Sequence, residues 1–313
     1  MSSLTRKTLE NFKLDGVRQP KADKLFEITE SLRSVVSVDD LGNVYQVLGS
    51  DLIKYTPRGD RTILLSNVGV PYANCRVPVK DNYLILPDIA NKKILKIDLN
   101  SGRTLFEIPF TDTVRDIVVA SNDEIYFITA TKLYKIDING SLIDTGRSGR
   151  FFKSLDCDAN YIYLVHNESG TDPYLYKIDR ADHSQIYIEI INGIETVKNL
   201  TKDHICLIAG DNLASYFKIY NKSDGSFFKQ ITYSYGNVSL VRSPNKSFVV
   251  GGVACFQNTG QPFFINIKNV NVETFTSLLS VYNSLNVSMD YKNGFLAGND
   301  SSNKVKLFKI SGV

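Results

Sequence analysis

The amino-acid sequence predicts an all-β fold in which seven four-stranded antiparallel sheets form a closed ring. Three observations lead there. A short phrase, apolar residues broken by Lys and closed by Asp and a turn, recurs along the 313 residues. A second strand-like run precedes every copy. A segment near the start of the chain has the pattern of the one strand that the last copy lacks.

The phrase reads "LIKYTPRGD" at 52–60, "ILKIDLNSG" at 94–102, "LYKIDINGS" at 133–141 and "LYKIDRADHS" at 175–184. It continues as "YFKIYNKSDGS" at 216–226, "FFINIKNVN" at 263–271 and "KLFKISGV" at 306–313. Aligned on the Ile after Lys, the copies fall at Tyr55, Ile97, Ile136, Ile178, Ile219, Ile267 and Ile310. The steps are 42, 39, 42, 41, 48 and 43 residues. A period of that size marks an array of one supersecondary unit that buries its faces only against its neighbours.

Each unit resolves into four runs. The first is seen in "RSVVSVD", "RVPVK", "VRDIVVA" and "KSLDCD", and the second in "GNVYQV", "DNYLIL", "NDEIYFI" and "ANYIYLV". The phrase is the third, and "TLFEIPF" or "SFFKQITY" is the fourth. All are short, rich in β-branched and aromatic residues, and bounded by Asn, Asp or Gly, which reads as strand. Four such strands per repeat make the blade of a β-propeller. The runs are almost continuously apolar because each blade packs on both faces. No twelve-residue helical pattern occurs after residue 23.

Between third and fourth strands, "NSG", "NG" and "DG" supply residues that tolerate positive φ, suiting a two-residue hairpin. The recurring Lys54, Lys96, Lys135, Lys177, Lys218 and Lys309 are expected to lay their stems on apolar surface with the ammonium in water. The last phrase ends at Val313, so the seventh blade has no room for a fourth strand. Residues 24–46 align with residues 104–127, which makes "LFEIT" that strand. Pairing Leu25–Thr29 with Val305–Ser311 closes the ring and removes the free edge at the seam. The domain plan is an N-terminal arm, 1–23, expected to be disordered or docked on a partner, and a propeller, 24–313.

Residues 82–110, "NYLILPDIANKKILKIDLNSGRTLFEIPF", resemble the YVTN-type propeller repeat, in which a YVTN-like strand, an Asn-bearing loop, a VSVID-like strand, a turn and a strand ending IPVG follow one another. Weaker copies cover most of residues 24–313. The resemblance implies a seven-bladed ring and no particular activity, because propellers serve scaffolds, binders and enzymes alike. The chain has no Trp, so the Trp-Asp ending of WD repeats and the Trp signature of quinoprotein blades are missing. A sialidase "SxDxGxTW" box and the kelch double glycine are missing too.

Lys and Arg number 36 against 33 Asp and Glu, a net charge of +3, and they are interspersed, which argues against a nucleic-acid partner. No apolar run is long enough to span a membrane, and the first residues carry no apolar signal core, so a cytoplasmic or virion location is expected. Cys75, Cys157, Cys206 and Cys255 stand far apart and are expected to be buried free thiols.

Long loops between second and third strands and between blades are expected to gather on one face, where binding surfaces usually lie. The partner-binding candidates there are Asp88, Asn91, Glu168, Asp172, Asp211, Asn212, Asn299 and Asp300. A divalent cation would need the same oxygens to converge, but they follow no repeated position, so no metal and no cofactor are predicted. Arg33, Arg76, Arg115 and Lys198 recur around the innermost strands and would favour an anion if they face the channel. His166, His183 and His204 have no zinc spacing and are expected to be solvated. No "GxSxG" elbow accompanies them. "RGD" at Arg58–Asp60 falls in the first-blade hairpin and reads as a turn. The functional expectation is a non-catalytic scaffold that binds a protein partner through its long-loop face. A component of a viral particle or tail assembly, or a metal-dependent hydrolase or lactonase, is the alternative.

Overall fold

A computed structural model describes residues 21–29, 35–72, 75–167, 173–190, 194–199, 202–210, 215–233, 247–250, 253–258, 261–266, 275–277, 288–299 and 304–311. Every regular element among them is a strand. The first element among the described residues is β1 (Lys21–Thr29). Blade one is β2 (Val36–Val38), β3 (Val44–Leu48), β4 (Asp51–Tyr55) and β5 (Arg61–Ser66). Blade two is β6 (Val79–Lys80), β7 (Tyr83–Asp88), β8 (Lys93–Asp98) and β9 (Thr104–Pro109). Blade three is β10 (Asp116–Val119), β11 (Ile125–Ile128), β12 (Lys132–Ile136) and β13 (Leu142–Ser148). Blade four is β14 (Phe152–Cys157), β15 (Tyr161–Asn167), β16 (Pro173–Asp179) and β17 (Gln185–Ile190). Blade five is β18 (Ile194–Asn199), β19 (His204–Gly210), β20 (Ser215–Asn221) and β21 (Phe227–Tyr233). Blade six is β22 (Ser247–Val250), β23 (Val253–Asn258), β24 (Gln261–Asn266) and β25 (Phe275–Ser277). Blade seven joins β26 (Ser288–Lys292), β27 (Phe295–Asn299) and β28 (Lys304–Ser311) to β1.

The described residues thus form seven four-stranded antiparallel sheets, and the repeated phrase is the third strand of each. β1 pairs antiparallel with β28, from Lys21 opposite Ser311 to Thr29 opposite Lys304. The closing strand is longer than "LFEIT", since it begins at Lys21. Phe26 enters the core between blades one and seven, its ring 6.1 Å from that of Tyr55.

Continuous apolarity has the expected cause. In β3, Val44 packs toward blade seven while Tyr45 and Val47 pack toward blade two. In β11, Ile125 and Phe127 face blade two, and Tyr126 and Ile128 face blade four. Alternate side chains point to opposite faces, so a strand buried on both has no polar register.

Polar side chains on the innermost strands stitch each blade to the next. Ser37 Oγ donates to Val77 O at 2.6 Å, and Asp116 Oδ2 accepts from Leu155 N at 3.0 Å. Ser154 Oγ accepts from Val197 N at 3.4 Å, and Asp290 Oδ2 from Val38 N at 2.9 Å. These bonds engage backbone groups along the channel side, where the inner strand has no fifth strand beside it.

The third-to-fourth turns are wider than a two-residue hairpin. Asp98 N–H donates to Arg103 O and Gly102 N–H to Asp98 O, enclosing four residues. The Asp of the phrase explains this: Asp98 Oδ1 accepts from the Asn100 and Ser101 amides, and Asp137 Oδ1 from those of Asn139 and Ser141. An Asp side chain that mimics a turn of backbone favours the wider loop. Gly102, Gly140 and Gly225 take positive φ, as expected, and His183 holds the equivalent place in blade four at φ 59°.

Candidate functional site

Of the four cations expected at the channel, Arg76 is the one whose side-chain partners are defined. Its Nε lies 2.7 Å from Asp116 Oδ1 and its Nη2 2.8 Å from Asp116 Oδ2, and Nη2 also donates to Leu155 O. Burial works against the guanidinium charge, yet the adjacent Asp116 and Asp156 hold Arg76 above the ordinary arginine range. Arg76 therefore bridges blades two, three and four and has an internal anion. Arg115 is half-buried and follows its backbone into β10, its N–H donating to Ile128 O. Arg33 and the Lys198 side chain lie outside the described residues, although Lys198 pairs with Cys206 in the sheet.

On the long-loop face, Asp88 points inward. It is 1% exposed, and its carboxylate accepts from Asn91 N at 2.9 Å and Asn91 Nδ2 at 2.8 Å. Asn91 itself is exposed and also donates to Asn67 O. Gly69 makes the tuck possible, because a Cβ there would sit 2.3 Å from Asp88 Oδ1. Asn299 is buried at the end of β27. Glu168, Asp172, Asp211, Asn212 and Asp300 lie outside the described residues. Among the described residues, no three His, Cys, Asp or Glu side chains gather as ligands for a metal.

The histidines depart from the solvated expectation. His166 is buried in β15, accepts from Arg150 N at Nε2, 2.9 Å away, and stacks on Tyr176. His204 is half-buried with its ring 4.7 Å from that of Phe228. Cys75 and Cys206 are buried free thiols, and burial pushes the Cys206 thiol up to about 12. Cys157 is partly buried, also a free thiol, and is likewise pushed up to about 12 by burial.

The recurring lysines line the turn-face ends of the seams between blades. Lys96 stands 3.9 Å from the ring centroid of Tyr83, Lys177 4.1 Å from Tyr161 and Lys309 3.7 Å from Phe295. Lys54 and Lys135 sit farther from Tyr45 and Tyr126. The stem covers apolar surface as expected, and the ring quadrupole takes part of the role assigned to water. Lys218 breaks the series: β20 carries an extra residue before its turn, and Lys218 lies opposite Leu207.

One seam opens into a cleft of about 610 Å³, between blades four and five on the tight-turn face. Its walls include Asp158, Tyr161, Tyr163, Lys177, Asp203 and Lys222. Lys222 Nζ donates to Asp158 Oδ2 at 2.8 Å, and the Tyr163 hydroxyl donates to the same oxygen at 2.9 Å. Lys177 Nζ donates to Lys222 O. Burial lowers the Lys177 pKa, with nearby Asp158 opposing and Lys222 reinforcing the shift. Sequence reasoning placed the sites on the opposite face and missed Asp158, Arg180 and Lys222. The signal was the residue that follows the third strand, apolar Leu99 in blade two but Arg180 and Lys222 in blades four and five.

No family model matches the sequence, and no curated protein matches it either. Solved structures match along nearly its whole length. The β-propeller domain of Cps50 (Swd1) from Myceliophthora thermophila is 11% identical with a TM-score of 0.69, covering 92% of this chain and 99% of that one. The Pan2 WD40 domain of Neurospora crassa is 12% identical with a TM-score of 0.66, covering 93% and 95%. Streptogramin B lyase is 11% identical with a TM-score of 0.61, covering 94% and 98%. The likeness shows the propeller fold, shared here without the Trp of WD repeats.

Proposed function

We propose that this chain is a non-catalytic propeller that binds a protein partner. The observation that carries the reading is a band of exposed apolar side chains on successive outer strands. Ile63, Leu105, Ile143, Ile186 and Phe228 all fall within the first three residues of β5, β9, β13, β17 and β21. Leu105 is 55% exposed and Phe227, beside Phe228, is 54% exposed. Single exposed apolar residues are ordinary, but a regular band around the turn-face rim is a pattern that protein contacts use. The YVTN-type pattern of residues 82–110 supports kinship with that repeat superfamily, and the WD40 character of one structural neighbour is compatible with a scaffold role. The long-loop face, with exposed Asn91, is the second contact surface of this reading.

Affinity capture from the native host tests it. Wild-type chain is compared with Leu105→Glu/Phe227→Glu on the rim and Asn91→Arg on the loop face. A stoichiometric protein lost by either variant supports the proposal and names the face. A chain that captures the same material in all three forms overturns it.

A further inference from the structure

Two successive seams are built on one plan and differ in which carboxylate meets the cation after the third strand, Glu124 in the first and Asp158 in the second. The amides of Arg180 and Lys222 donate to Asn160 O and Asp203 O, so the two residues hold the same place after the third strand. Lys135 lies opposite Tyr126 in the sheet, as Lys177 lies opposite Tyr163. Two residues before each tyrosine stand Glu124 in blade three and Tyr161 in blade four. Position by position, the seam between blades three and four holds Lys135, Arg180 and Glu124. The next seam holds Lys177, Lys222 and Tyr161.

In the first seam Glu124 bridges both cations, 2.5 Å from Lys135 Nζ and 2.8 Å from Arg180 Nη2. Arg180 also donates to Asp158 O, Ala159 O and Asn122 Oδ1, and its guanidinium fills the space. In the second seam the glutamate is replaced by an aromatic ring, and the shorter Lys222 leaves the 610 Å³ cleft open. Asp158 reaches Lys222 but is also committed to the Tyr163 hydroxyl and to the Asn160 and Tyr161 amides. Asp203 and Lys202 line the rim of the cleft, and Asp224 acts on Lys177 from the neighbouring turn. Lys177 and Lys222 are 4% and 6% exposed.

We propose that this cleft binds a carboxylate, which takes the bridging place that Glu124 holds one seam earlier, between the ammonium groups of Lys177 and Lys222. Tyr161 and Tyr163 flank it with ring surface, and Asn160 and Asn221 also line the cleft. The carboxylate belongs either to a small dicarboxylic acid or to an acidic side chain of a peptide. Charge-assisted bonds to two partly desolvated amines give such a site its selectivity over neutral analogues. This site lies apart from the apolar band, so its test stands independently of the partner-binding reading.

Calorimetric titration of the full chain with glutarate, with acetyl-Gly-Glu-Glu-Gly-amide and with glutaramide tests the proposal. The two acids are expected to bind and glutaramide is not; the tighter of the two identifies the source. Tyr161→Glu, which installs the internal carboxylate of the preceding seam, is expected to weaken binding by at least about tenfold, as is Lys177→Gln. Melting curves confirm that each variant is folded, and Tyr161→Glu carries the test if Lys177→Gln is not. No heat from either acid at about 10 mM overturns the proposal, as does equal affinity in wild type and Tyr161→Glu.

Discussion

Arg76 and Asp116 form a two-pronged ion pair, 2.7 and 2.8 Å, in which the carboxylate is fully buried and the guanidinium reaches on to the backbone of blade four. Three blades meet at this contact, near the axis of the ring. It makes a residue expected to serve an external anion into a structural rivet.

Removing the acid should therefore be severe. Asp116→Ala leaves a buried guanidinium without its carboxylate and also removes the acceptor for Leu155 N and Ile117 N. The expected loss is about 3–5 kcal/mol, read as a shifted urea midpoint at unchanged slope. Arg76→Met/Asp116→Leu should recover much of that loss, because the charge and its partner leave together.

The ring seam depends on β1. Phe26→Ala should destabilise by roughly 3–5 kcal/mol, since the buried ring fills the core between blades one and seven. Deleting residues 1–29 exposes the edge of β28 and should produce concentration-dependent oligomers in size-exclusion chromatography. A monodisperse, equally stable truncation would refute the closure.

Glu124 sets an acid limit for the seam between blades three and four. Burial opposes its charge, but hydrogen bonds from Lys135, Asn122, Tyr126 and Arg180 prevail and bring its pKa from 4.5 down to about 2. A lowered folded pKa contributes stability that is complete above about 4.5 and lost as pH falls through about 2. Allowing for solvent at a pair still partly exposed, the contribution is on the order of 2 kcal/mol. Thermal melting of wild type should fall across that window more steeply than that of Glu124→Gln.

Gly42 and Phe295 couple blades one and seven sterically. Gly42 has φ 82°, and a Cβ there would lie 2.6 Å from the Phe295 ring. Gly42→Ala should cost roughly 1–3 kcal/mol. Adding Phe295→Ala should relieve the steric part, so a double-mutant cycle by urea denaturation is expected to show coupling between the two positions.

Much of the architecture was legible because it is written in local chemistry. Alternation lost to two-sided burial, Asp-capped turns and the spare strand "LFEIT" each follow from residues close in sequence. Turn width was misjudged because the pattern "NG" was weighed without the preceding Asp, whose side chain widens the loop. The solvated reading of His166 failed because its cage, Phe152, Tyr176 and the Arg150 amide, comes from separate strands and the loop before β14.

The chain order of apolar runs, turns and repeats by itself determined seven four-stranded blades closed by the two ends of the chain. Only the tertiary structure decided which charges are committed internally and that the seam between blades four and five stays open. Arg76 meets Asp116 across 40 residues and Lys222 meets Asp158 across 64. A repeat pattern sets which face of a strand a side chain occupies. The charge that the neighbouring blade presents to that face is fixed only when the two blades pack.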